Sequence, residues 1–571
     1  MTLEPVASVE EMLSRLDTDF EDFVDAFVRG RYALWLGSGI SKFRMPDVWA
    51  LLERVVDFLR VRSNDEGGTG PHSAALAEVL VLAGLNENQR SELDLSHPAR
   101  LWERWDFIAQ VLCEKYDEVL NVPVGSEPDD YLVWTGLDVP GTYGDDTIEP
   151  DVEHLCIALL MLEGVVSTAV TANWDGLIEK ALSSLVDEPD DVVRVIVKPI
   201  DFREKNAPRE LIKFHGCAVR ALENEEQYRP LLIARQPQID GWSEKDEHKH
   251  VRSQLEARFS DRETLMLGLS AQDANMHTIF HKASLNLKRT WKPDWPAVVL
   301  SEESLRSYHR GVLEATYSNY GPSNRDDIAN GSVLGAWAKP VLVALLLWTL
   351  TEKAIELVAK VDMPGLSTDE RAKLHSSLRG LRDRGGAEAA GGTLAFVEAL
   401  VGAVSTVIST FRSGRPTAMG GPYEPVSGVP VGEAASSNYF PSEQLGRLGI
   451  VISVLARGDA ENAWVGRTTQ PASMARGAIR LEAADKSLRL FIVKDEEAWQ
   501  QLATSDGYDE TDPDIIVVHA GSAPRRSKRS SRSRKRTGQV GPAHLVMAAV
   551  CGDAECADDL FDEFKQAGGF A

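Results

Sequence analysis

RYALWLGSGISKF, Arg31 to Phe43, is the stretch on which the reading of the whole chain turns. Tyr32 to Leu36 carry no charge and have the length of a buried strand, too short for a helix. Gly37, Ser38 and Gly39 then permit a tight turn, with a hydroxyl at Ser41 just past it. Upstream, VEEMLSRLDTDFEDFVDAFV (Val9 to Val28) has apolar residues at helical spacing and predicts one amphipathic helix. Downstream, VWALLERVVDFLRVR predicts another. Strand, glycine turn and helix open a nucleotide-binding α/β unit, with a ligand expected against the turn.

Outward from that unit, residues 62 to 150 read as an inserted helical module, broken by SNDEGGTGPHS and closed by LDVPGTYGDDTIEP. Strand-like runs follow: VVSTAVTAN, VVRVIVK, LIKFHG, TLMLGLS and AVVLS, each separated by helical intervals. That alternation predicts an α/β fold, a Rossmann-like parallel sheet with a helical insertion, over residues 1–320. A helical segment (321–412), a Pro-, Gly- and Ser-rich linker (413–440) and a small C-terminal α/β domain (441–571) complete the expected organisation. In the last of these, LRLFIVK, DIIVVHA and HLVMAAV are the strand candidates.

The chain has 571 residues, beyond what one core supports, and 43% of them are hydrophobic, as in globular proteins. A net charge of -26 disfavours indiscriminate binding to nucleic acid or anionic membrane. One run opposes that average: RRSKRSSRSRKR, Arg525 to Arg536. With no aromatics to stack on bases it reads first as a solvated loop, and second as a local anchor for nucleic acid. Five cysteines without a Cys-x-x-Cys pair make neither a disulfide framework nor a zinc ribbon, so no metal is expected and a reducing cytoplasm fits. The N-terminus lacks the pattern of a signal peptide. Val341 to Leu350, the most apolar run, is about half a membrane span and reads as a buried helix.

In a doubly wound sheet, ligands lie at the carboxyl ends of the strands. Here those ends are polar: Gly37-Ser38-Gly39-Ile40-Ser41, then Thr171-Ala172-Asn173-Trp174-Asp175, then His215-Gly216, then Gly268-Leu269-Ser270 with Asp273 beyond. Singly, each has an ordinary role: Asn173 and Asp175 as a helix cap, His215 as a satisfied core histidine, Ser270 and Asp273 as a second cap. Together they would set a phosphate cradle, an amide, a carboxylate and a histidine around one crevice. That set suits chemistry on a nucleotide sugar better than a redox step.

GSGIS followed by MPDVW, TANWD, KFHG and GLSAQD, in that order, resembles the sirtuin-like NAD-binding domain, and more closely the branch found in prokaryotic anti-phage proteins. The resemblance spans Tyr32 to Tyr320. It implies an NAD+ hydrolase that cleaves the nicotinamide–ribose bond, acting as an NAD-depleting effector that halts the infected cell. It implies Asn173, His215 and Asp175 as catalytic residues, with His215 the general base. Gly37, Ser38, Gly39, Ile40, Ser41, Pro46, Asp47, Trp174, Gly268, Ser270, Asp273 and Ser301 would bind NAD+. Homo-oligomers and partners such as a HerA-type ATPase or a short argonaute go with that branch. Three alternatives stand beside this reading: an NAD-dependent protein deacylase, opposed by the missing four-cysteine zinc module after the histidine motif; a non-catalytic NAD or ADP-ribose sensor; and a nucleic-acid-processing protein led by the basic run Arg525 to Arg536.

Overall fold

The computed structural model describes residues 8–204, 207–242, 245, 246, 248–271, 274–287, 289–292, 295–416, 421–433, 442–468, 478–483, 486–505, 508–521 and 541–570. Asp273 and the basic run Arg525 to Arg536 lie outside them.

Six parallel strands, β1 (Tyr32–Leu36), β2 (Thr168–Thr171), β3 (Val193–Ile196), β4 (Arg209–Lys213), β5 (Glu263–Leu267) and β6 (Val298–Ser301), form one sheet in the order β3-β4-β2-β1-β5-β6. This is the α/β, Rossmann-like sheet expected from the sequence. All five β1 residues are buried because helices cover both faces. Tyr32, Leu34 and Leu36 join a core with the helices Val9–Leu16, Glu21–Val28, Val152–Leu162 and Ala338–Ala359. Trp35 points to the other face, its ring 4.7 Å from that of Phe280. The two-residue period of the strand sorts its side chains between the two cores.

The register places Lys213, Thr171, Leu36, Leu267 and Ser301 in one row across β4, β2, β1, β5 and β6. Whatever follows those residues therefore emerges at the same edge. β1 lies between β2 and β5, so the winding reverses direction beside β1, and the crevice opens where Gly37 and Gly268 leave the sheet.

The single helix expected over Val9 to Val28 is two, Val9–Leu16 and Glu21–Val28. Asp17 ends the first, and four residues turn the chain so that Leu13, Leu16, Phe23 and Phe27 all reach one core. The inserted module begins earlier than its composition suggests. The helix Val48–Asp65 is continuous, and its Leu52, Val55, Val56 and Leu59 already belong to the module's core with Leu76, Val79, Ile108 and Leu112.

A second sheet, β7 (Val465–Thr468), β8 (Ile479–Ala483), β9 (Lys486–Val493), β10 (Ile515–His519) and β11 (Ala543–Val546), has the order β11-β10-β9-β8-β7. β9, β10 and β11 are parallel, whereas β7, β8 and β9 form an antiparallel meander that the sequence did not signal. HLVMAAV is strand only through Val546; the chain turns helical at Met547, as Met-Ala-Ala readily does. Val341 to Leu350 is part of the Ala338–Ala359 helix, whose first half is buried in the core of the first sheet and whose Ile355, Leu357 and Val358 enter that of the second.

Residues 421–433, within the expected linker, have no helix or strand but are pinned along their length. The Val431 N–H donates to Val28 O at 2.9 Å, Tyr423 Oη donates to Glu163 Oε1 at 2.6 Å, and the Val426 N–H reaches the same oxygen at 3.0 Å. The other Glu163 oxygen accepts from Lys353 Nζ at 2.6 Å, and both side chains of this pair are fully buried. This strap and the long helix together join the two sheets. Among the described residues one helix, Thr393–Ser413, is long and apolar enough to cross a membrane; here it packs on β9.

Candidate active site at the carboxyl edge of the first sheet

The glycines of the first motif are explained by a close approach between loops. A Cβ on Gly37 would lie 2.4 Å from Gly268 O, and one on Gly39 would lie 2.7 Å from Gly268 Cα. Gly268 itself has φ +60°, and a Cβ there would lie 2.6 Å from Ile40 N. The turn after β1 and the turn after β5 thus touch backbone to backbone, which only glycine allows. The Gly37 and Gly39 amides are also committed, donating to Leu267 O at 3.0 Å and Gly268 O at 2.9 Å. The glycines give the crevice its floor. The exposed Ser38 opens the 3-10 turn Ser38–Ser41, and Ile40 is buried beneath it.

Ser41 is buried and sits in a polar chain with a defined direction. His154, on the Val152–Leu162 helix, accepts from the Asp151 N–H at Nδ1 over 3.1 Å. A neutral ring held this way carries its proton on Nε2, which faces Ser41 Oγ at 3.0 Å. Ser41 in turn donates to Asp175 Oδ2 at 3.1 Å, and Asp175 Oδ1 accepts from the Leu177 N–H at 3.2 Å. Burial depresses the His154 pKa more than Asp175 and Asp151 raise it, keeping the ring neutral. The chain fixes the orientation of the Asp175 carboxylate at the mouth of the crevice.

His154 was not singled out from the sequence. Its signal is local: Asp151 caps the helix by accepting from the Val152 N–H at 2.8 Å, and a ring nitrogen three residues on returns to the cap's own N–H. Around it, burial raises the Glu153 carboxyl to about 7 despite Lys339 nearby. For Asp151, burial opposes the charge, but the Val152 N–H, Lys339 and Arg44 hold its pKa below the ordinary value.

Asn173 lies on the opposite side of the Gly37 turn, half-buried, its Nδ2 donating to Gly37 O at 3.1 Å. That bond fixes the amide so that Oδ1 turns away, and Oδ1 has no partner among the described residues. Trp174 Nε1 donates to His215 O at 2.9 Å, tying the β2 and β4 loops together. Its ring meets that of Tyr143 in the inserted module at 6.0 Å. Buried His215 packs on Phe214 and Trp242, with ring centroids 4.4 and 6.2 Å away. Lys213, just before, is buried and bridges Asp175 O at 2.5 Å to Glu179 Oε1 at 2.7 Å.

Other predicted residues have local duties. Asp47 caps the Val48–Asp65 helix, accepting from the Ala50 N–H at 2.9 Å, with half-buried Pro46 before it. Ser301 Oγ donates to Ala336 O at 2.9 Å and is fully buried, which ties β6 to the chain before the long helix. Ser270 is exposed past β5, and Asp273 lies outside the described residues. After His215 come the short helices Ala218–Glu223 and Glu225–Tyr228, and Ala218, Ala221, Leu232 and Ala234 join the core of the inserted module, closing one side of the crevice. Among the described residues no three His, Cys, Asp or Glu side chains converge as a metal site.

No curated protein matches the chain. Residues 167–319 match the family model of the SIR2-like domain. The match starts where β2 begins and runs past β6, so β1 and its glycine turn enter the domain through the sheet rather than through the match. From the parallel sheet, the crevice beside β1 and this match, the conclusion is that the chain carries a SIR2-like domain, of the kind that acts on NAD+.

Proposed function

We propose that this carboxyl edge hydrolyses NAD+ to nicotinamide and ADP-ribose. The observation that supports the reading is the pairing of Asn173, bonded to Gly37 O, with Asp175, oriented by Ser41, beside the Gly37 turn, where Trp174 ties on the β4 loop that carries His215. Nicotinamide leaves as a neutral base from a cationic ring, so the bond to C1′ breaks without a general acid. The ribose develops positive charge, which the Asp175 carboxylate and the Asn173 amide oxygen stabilise. Water then bonds to C1′ and gives its proton to His215, so that NAD+ and water become nicotinamide, ADP-ribose and a proton. Only Cys217 closely follows His215, where a deacylase would carry four zinc-binding cysteines, which favours water over an acyl-lysine as nucleophile. The activity would serve as an NAD-depleting effector of anti-phage defence, with the second sheet and any oligomer, HerA-type ATPase, argonaute or nucleic-acid partner exerting control.

The test is nicotinamide and ADP-ribose release from NAD+ by the full chain, with Asn173→Ala and His215→Ala beside it, with and without nucleic acid. Release lost in both variants is expected. NAD+ binding without release under every condition would overturn the hydrolase and leave the sensor. Nicotinamide release only with an acyl-lysine peptide would establish the deacylase.

A further inference from the structure

The same strands that end in the crevice begin around an open cavity of about 520 Å³ at the opposite edge of the sheet. Five arginines line it, Arg31, Arg194, Arg209, Arg258 and Arg262, against three carboxylates. In a chain of net charge -26 this is a local inversion of sign.

The carboxylates do not cancel it. Glu210 is buried between Arg258, which grips it through both Nε and Nη2, and Arg194, whose Nη2 stands 3.5 Å from Oε2. Glu263 is engaged from outside the cavity by Arg289 at 2.6 Å. Arg31, Arg209 and Arg262 make no ion pair among the described residues. Arg31 lies over the Trp295 ring at 4.5 Å, Arg262 donates to Gly30 O, and Arg209 Nη2 donates to Gly428 O at 2.6 Å. Each guanidinium has further N–H groups than these contacts use. Ser167 Oγ, also in the lining, is shielded from solvent with no partner among the described residues. Clustered guanidiniums repel one another, and the usual compensation is a multivalent anion held by charge-assisted bonds.

We propose that this cavity binds a small phosphate-bearing anion of nucleotide size, at a site separate from the catalytic edge. The volume falls in the range of small-ligand pockets and suits a diphosphate with a nucleoside attached. Arg209 and Gly30 also touch the 421–433 strap, through Gly428 O and through Pro430, which a Cβ on Gly30 would approach to 3.0 Å. The cavity thus borders the segment that joins the two sheets. The crevice lies about 17 Å away along strands of five residues.

Isothermal titration of the full chain with inorganic pyrophosphate tests this, since pyrophosphate carries no nicotinamide or ribose. Binding that weakens with added salt is expected. The double variant Arg31→Gln/Arg262→Gln should weaken it by about tenfold or more. These side chains leave no carboxylate unpaired when removed, so the fold should persist. Asp261→Asn, which removes an exposed negative charge from the lining, should tighten binding, a gain that misfolding cannot mimic. Because Arg31 and Arg262 lie at the opposite edge of the sheet, weakening in the Arg31/Arg262 variant separates the cavity from the phosphate cradle at the Gly37 turn. ADP and ADP-ribose binding more tightly than pyrophosphate would assign a nucleotide; equal affinities would assign the phosphates alone. Absence of pyrophosphate binding, or equal affinity in the Arg31/Arg262 variant, would overturn the proposal.

Discussion

Removing the Ser41 hydroxyl tests whether the chain from His154 to Asp175 acts as a unit. In Ser41→Ala the His154 Nε2 proton loses its acceptor in a fully buried site, whereas Asp175, half-buried, regains water. A buried donor left unmade costs about 1–3 kcal/mol, so the unfolding free energy should fall by that amount. With His154 already replaced by alanine, no donor remains to be stranded, and the same change at Ser41 should cost only a few tenths of a kcal/mol. The double-mutant cycle Ser41→Ala, His154→Ala should therefore show a coupling of about 1–2 kcal/mol in urea unfolding. The same variants should lose nicotinamide release to a similar degree singly and together, since either one frees the Asp175 carboxylate to rotate. Additive stability effects, within about 0.5 kcal/mol, would refute the polar chain.

The other expectations concern separate parts of the molecule. Gly268→Ala combines a left-handed φ with a Cβ 2.6 Å from Ile40 N, so it should cost well over 1 kcal/mol and abolish NAD+ binding, as titration of the folded variant would show. Glu153 holds its proton to about pH 7 in the folded protein but only to about 4.5 when unfolded, so its ionisation opposes folding increasingly between those values. Glu153→Gln should therefore raise the urea midpoint at pH 8, by at most about 3 kcal/mol of stability, and leave it unchanged at pH 4. Burial keeps His154 neutral where the unfolded chain takes up a proton, below about pH 6.5; His154→Ala should remove up to one proton, about 1.4 kcal/mol per pH unit, from the acid slope of stability. Lys353→Met strands the buried Glu163 carboxylate and should cost about 3–5 kcal/mol, part of which Lys353→Met/Glu163→Leu should recover.

Strands proved the most legible feature, because a parallel sheet buried on both faces demands short, nearly continuous apolar runs. Tyr32–Leu36 and the five later runs are such segments, and all six pair in one sheet. The second sheet was half legible: β9 and β10 are apolar runs of the same kind. β7 and β8 are not, since their exposed positions carry Val465, Gly466 and Arg480. Of the site, the residues just past strand ends could be named from position alone. What Gly37 and Gly39 do was not visible, because the atom that forbids a side chain there belongs to Gly268, more than two hundred positions away. His154 was hidden for the same reason: its partner Ser41 is 113 residues upstream.

By itself, then, the order of residues determined the local states: which runs are strands, where glycine must turn the chain, which ends are polar. These follow from burial periodicity and backbone sterics over a few residues. Only the tertiary structure decided which ends share an edge, through the register that aligns Lys213, Thr171, Leu36, Leu267 and Ser301. It alone turned a Pro- and Gly-rich stretch into a strap, since Tyr423 and Val426 find their acceptor on Glu163. It also gathered five arginines, scattered from Arg31 to Arg262, at the other end of the same strands. Parallel strands bring together residues from distant parts of the chain, and no local pattern records which ones.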